Sequence, residues 1–99
     1  MNQGPKPRGQ ALTEPLYEAV VQALEQPDLD RAGLLVSNLH PADAADLLER
    51  LAPAQRQTVY GLFPVEQRGE VIANLHAEVQ EALLSQMAPE QVAEVIAEL

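Results

Sequence analysis

Ninety-nine residues carrying six Lys or Arg against fifteen Asp or Glu make a small chain of net charge −9. That balance excludes a phosphate-binding basic surface, so no nucleic-acid partner is expected, and it disfavours docking on anionic lipid. With 46% hydrophobic residues, 3% aromatics and no cysteine, the chain can bury an aliphatic core. It offers little to stack on a base or sugar, and no thiolate for catalysis, disulfides or zinc.

Residues 1–11 (MNQGPKPRGQA) hold two prolines, two glycines and two of the six basic residues. No helical or strand period runs through them, and they read as a flexible leader ahead of one domain spanning 12–99. No apolar run in these 99 residues exceeds five, as at 32–36 where Gly33 intervenes. Neither a membrane span nor the apolar core of a signal peptide is therefore expected.

Beyond the leader the chain repeats. Leu39, Leu51, Phe63, Leu75, Met87 and Leu99 fall at a strict spacing of twelve. They bound the units LHPADAADLLERL, LAPAQRQTVYGLF, FPVEQRGEVIANL, LHAEVQEALLSQM and MAPEQVAEVIAEL. Each unit has an apolar pair shortly before its last position: Leu47/Leu48, Val59/Tyr60, Val71/Ile72, Leu83/Leu84 and Val95/Ile96. Val20/Val21 with Leu24, and Leu35/Val36 with Leu39, extend the pattern backward to seven units.

Apolar residues at i, i+1 and i+4 cover about 100° of arc on a helix and cannot alternate along a strand. Pro41, Pro53 and Pro89 share a phase suited to a helix's first turn, and Pro64 sits one earlier. Asp43, Glu66, Glu78 and Glu90 follow, where a helix N-terminus favours negative charge. Thr13 and Asp28 are the expected N-caps of the first two helices. Each unit is then a helix of about ten residues, about 15 Å long, too short to be stable alone in water. Such helices must stack, so the expected fold is all-α, a short-helix superhelical solenoid with the repeat-end residues at its corners. Val95, Ile96 and Leu99 would be left unopposed without a polar capping helix, so more protein is expected after Leu99.

LHPADAADLLERL, LFPVEQRGEVIANL and APEQVAEVIAEL resemble the cytosolic N-terminal domain of the MgtE magnesium transporters, over about residues 12–99. The resemblance rests on a His-Pro-Ala-Asp helix start, twelve-residue units and a Pro-x-x-x-x-x-Glu-Val-Ile helix. It implies an armadillo-like right-handed superhelix of about seven helices, the first cytosolic module ahead of a CBS-domain pair and a transmembrane channel. It further implies a homodimer, with this domain on the cytoplasmic side of the cell membrane. The role it implies is regulatory: Mg²⁺ bound between this domain and the CBS pair holds the channel shut when cytosolic Mg²⁺ is sufficient. A weaker likeness, to the middle domain of the flagellar motor switch protein, implies a protein-interaction module without a metal role.

Magnesium keeps several of its waters and takes one or two protein carboxylates, so its site leaves no compact motif. It leaves acidic surface poor in cations. If consecutive helices alternate sides, Asp46, Glu70 and Glu94, in one repeat phase 24 residues apart, form a ladder up one face. The odd helices hold Asp43, Asp46, Glu49, Glu66, Glu70, Glu90, Glu94 and Glu98, whereas the fourth and sixth hold only Glu78 and Glu81. Helix-terminus electrostatics accounts by itself for Asp43, Glu66, Glu78 and Glu90, and Glu90, Glu94 and Glu98 also fit a solvated face. Glu70 differs, because the resemblance matches it to the Glu of the family's Pro-x-x-x-x-x-Glu-Val helix and implies a share in an interdomain Mg²⁺ site. Further acidic ligands would lie past Leu99, so Mg²⁺ binding by the isolated chain is expected to be weak, roughly millimolar.

His40 and His76 are three repeats apart and read as caps or corner packing rather than metal ligands. Arg56 and Arg68 share a phase facing the apolar stripe, with the guanidinium left to reach a carboxylate or a helix-end carbonyl. No base stands at a recognisable spacing from Thr58, Tyr60 or Ser85, and Gly61 and Gly69 make no phosphate loop, so no enzyme is expected.

Overall fold

A computed structural model of the chain describes residues 11–98, with side chains through 97. The leader expectation for 1–10 and the corner assignment of Leu99 lie outside the described residues. The fold is all-α. Its helices are α1 (Glu14–Glu25), α2 (Leu29–Val36), α3 (Pro41–Arg50), α4 (Pro53–Tyr60), α5 (Val65–Ala73), α6 (Ala77–Ser85) and α7 (Pro89–Glu98).

Local chemistry explains where these helices begin. Thr13 Oγ1 accepts from the Leu16 amide at 3.3 Å and Asp28 Oδ1 from the Arg31 amide at 3.1 Å. His40 Nδ1 accepts from the Ala42 amide at 3.1 Å, so this histidine is a cap. α4 and α7 follow alanines, which cannot cap. There a glutamine reaches back instead: Gln55 Oε1 accepts from the Ala52 amide at 3.3 Å and Gln91 Oε1 from the Ala88 amide at 3.0 Å. Each is one half of a capping box. Pro41, Pro53 and Pro89 open their helices, and Pro64 is the residue before α5.

The helices end by a device that recurs with the repeat. Arg56 Nε donates to the Leu48 carbonyl at 2.8 Å and its Nη2 to the Leu51 carbonyl at 3.1 Å. Arg68 Nε donates to the Phe63 carbonyl at 3.0 Å and its Nη2 to the Gly61 carbonyl at 2.7 Å. Gln80, in the same phase, donates from Nε2 to the Ile72 carbonyl at 2.9 Å. In each of these three units one side chain thus adds hydrogen bonds to carbonyls at the end of the preceding short helix or in the turn after it. Of the two acceptors open to the arginines, the helix-end carbonyl is the one observed.

Packing follows the parity of the repeat. α3 lies on α5 and α5 on α7, while α4 lies on α6 and α1 pairs with α2. The corner residues Leu39, Leu51, Phe63 and Leu75 are buried, and Met87 is half-buried. Both members of the pairs in α3, α4 and α5 are buried. In α6 and α7 only Leu83 and Val95 are, and Ile96 is 62% exposed. The described residues measure 47 × 33 × 22 Å.

The N-terminal end of α1 and the residues before it are fastened to both ends of α3. The Leu12 amide donates to Asp43 Oδ1 at 3.3 Å. At the other end the Arg50 guanidinium lies 3.9 Å from the Tyr17 ring centroid and pairs with Glu14 at 3.0 Å.

Candidate functional site

Asp46, Glu70 and Glu94 are each the sixth residue of α3, α5 and α7. α3 packs on α5 and α5 on α7, so the three carboxylates stand at equivalent positions of neighbouring helices, and all three are exposed. Two cavities separate them. Glu70 lines, with Glu66 and Gln67, a cleft of about 470 Å³ whose other wall is the α2–α3 turn at Ser37–Pro41. Glu94 lines a different hollow of about 40 Å³, with Tyr60, Arg68 and Gln91. Asp46 lines neither.

Two of the odd-helix acids are engaged in joining elements. Asp43 holds the Leu12 amide, and Glu49 Oε2 accepts from the His76 amide at 2.8 Å while its Oε1 stands 3.5 Å from His76 Nε2. His76 is therefore a corner contact between α3 and the start of α6. No signal in the repeat phase pointed to that pairing.

Three of the four arginines among the described residues are engaged elsewhere. Arg56 and Arg68 serve carbonyls and Arg50 serves Glu14. Among the described residues no cation pairs with Asp46, Glu66, Glu70 or Glu94. Their negative charge is left unpaired.

Tyr60 is buried and its hydroxyl has no partner among the described residues. Burial pushes the phenol above its ordinary value of 10.0. The Arg68 guanidinium, 5.7 Å from the ring centroid, opposes that shift and the Glu94 carboxylate adds to it.

Among the described residues no three His, Cys, Asp or Glu side chains gather closely enough to hold a metal ion. The donors fit magnesium in kind, being carboxylate oxygens on exposed helix faces. They fit it in number only as part of a site, since Mg²⁺ takes one or two carboxylates beside its waters and other ligands.

Fold and charge together define the class: a short-helix α-repeat domain with exposed carboxylates that no cation neutralises. The sequence profile described as the MgtE intracellular N domain matches residues 39–99, from the corner Leu39 through α3–α7, leaving α1 and α2 outside the match. The chain belongs to this family, whose members are intracellular domains of magnesium transporters. Comparison with curated proteins and with solved structures gave no match. Among the described residues no helix is long and apolar enough to cross a membrane.

Proposed function

We propose that this domain is the cytosolic Mg²⁺-sensing regulator of an MgtE-like magnesium channel, acting by Mg²⁺-dependent docking on a CBS-domain pair of the same polypeptide. One observation carries the reading. In a member of this family, Asp46, Glu70 and Glu94 project from equivalent positions of three stacked helices, and no described cation neutralises them.

A bound Mg²⁺ supplies positive charge between two acidic surfaces. The chain's own contribution is a set of oxygens held on short, mutually braced helices, with Glu70 foremost. Single carboxylates at separate points leave each site to be completed by the facing domain, which makes occupancy depend on docking. Without the ion, like charges on the two domains repel. The docked arrangement is then favoured only to the extent that it binds Mg²⁺ better than the open one does.

Channel closure followed during Mg²⁺ titration, in the full-length dimer with Glu70→Ala beside its parent, tests the assignment. The midpoint should move to higher Mg²⁺ in the variant, with smaller displacements for Asp46→Ala and Glu94→Ala. Equal midpoints for Glu70→Ala and parent would remove Glu70 from the site.

A further inference from the structure

We propose that the hollow between α4, α5 and α7 is a binding site for a neutral aliphatic hydroxyl group, held by Tyr60 between the charges of Arg68 and Glu94. Three features of the molecule define that ligand.

The first is an orphaned donor. Tyr60 is only 7% exposed, and its hydroxyl has no hydrogen-bond partner among the described residues. Nearly all buried polar groups find a partner, so one left open beside a cavity marks where a ligand atom belongs. The hydroxyl end of the ring faces that cavity. The two charges acting on the phenol, Arg68 from α5 and Glu94 from α7, both line the hollow. Burial holds the phenol in its protonated form, so it can donate.

The second is charge. Arg68 engages its Nε and Nη2 with the Phe63 and Gly61 carbonyls, and among the described residues it forms no ion pair with Glu94. Two opposite charges thus flank the hollow without pairing. A carboxylate entering it would meet Glu94 and an ammonium would meet Arg68, whereas a neutral dipole can align with both. A hydroxyl does so with two bonds: its oxygen accepts from Tyr60, and its proton is donated to Glu94.

The third is size and lining. The hollow holds about 40 Å³, little more than the roughly 30 Å³ that a water occupies in the liquid. It admits a hydroxyl and the carbon that bears it, not a sugar or an aromatic ring. Val65, Met87 and Val95 supply the apolar wall for that carbon, and Val65 and Glu94, both exposed, open the hollow to solvent. A short-chain alcohol carries this chemistry, and so does a serine or threonine side chain of a docked protein segment.

The experiment titrates the metal-free 99-residue chain with ethanol and follows amide resonances. A ligand of three heavy atoms binds at about millimolar at best, so shifts at Tyr60, Arg68, Met87 and Val95 should saturate together within about 100 mM, while those of α1 stay in place. Acetate and ethylammonium should need several-fold more. Tyr60→Phe should raise the ethanol midpoint several-fold, and Glu94→Gln should lower that of acetate. N-acetyl-threonine methylamide saturating below ethanol, with its valine isostere inert, would identify a docked segment as the source of the hydroxyl. Ethanol saturating while the threonine amide does not would identify a free alcohol; either result supports the site. Shifts that grow linearly with ethanol, an equal midpoint in Tyr60→Phe, or ions that bind as well as ethanol would each overturn it. Because the titration contains no Mg²⁺, its failure leaves the sensing function standing.

Discussion

Tyr60 occupies the phase that Leu48, Ile72, Leu84 and Ile96 hold in the other units, and its ring is buried in the core as Leu48 and Ile72 are. Its hydroxyl is the one atom this phase does not ask for, and it is buried without a partner among the described residues. An unsatisfied buried polar group costs about 1–3 kcal/mol, whereas an apolar replacement of the same shape can be neutral or stabilising. The neighbouring hollow of about 40 Å³ is large enough for one water, which would recover part of that cost. Tyr60→Phe is therefore expected to keep or raise stability at pH 7, read from urea midpoints; a loss above about 1 kcal/mol would mean the hydroxyl is well partnered. Alkaline pH separates the two forms further. The native phenol holds its proton more tightly than the unfolded one, so its stabilising contribution is intact below pH 10 and disappears as pH rises through the raised native value. Between neutral pH and pH 11 the parent should lose more stability than Tyr60→Phe, and parallel curves would contradict the shift.

Within a single unit, the twelve-residue period was legible because it follows from packing: an apolar pair and a corner residue must recur if short helices are to bury one another. Burial of Leu51 to 3% exposure shows the corner in use, and Leu51→Ala is expected to cost about 2–5 kcal/mol in chemical denaturation. The polar half of the unit was less legible. Charge alone left a carboxylate and a carbonyl as equal candidates for Arg56 and Arg68. Gln80 carries no charge to draw attention, although it performs the same task one repeat later. The same holds for Gln55 and Gln91, whose reach back to the preceding amide stands in for a capping side chain that alanine lacks. These bonds predict a graded effect. Arg56→Leu strips two half-buried carbonyl contacts and should destabilise by about 1–3 kcal/mol, while Gln80→Leu, losing one, should cost about 1 kcal/mol. An order reversed in paired thermal melts would assign the stability to the arginine's stem packing instead.

For the molecule as a whole, the packing of α3 on α5 and of α5 on α7 could be read from the parity of the repeat. The cleft beside Glu70 could not. It depends on the width of the four-residue turn between α2 and α3, and a repeat phase carries no information about how far a turn stands from a helix some 30 residues later. Nor could phase reveal that Asp43 and Glu49 are taken up in tying elements together, which thins the eight acids to a sparser set. That thinning decides how the isolated chain should respond to magnesium. Separate carboxylates retain most of the ion's water and bind it loosely, so amide shifts near residues 46, 66–70 and 94 should move without saturating below about a millimolar. Sodium chloride at matched ionic strength should move them much less, because screening lacks the divalent ion's local charge. Saturation at micromolar Mg²⁺ would require several converging carboxylates, an arrangement absent among the described residues, and would place the complete sensor within this domain rather than at its junction with another.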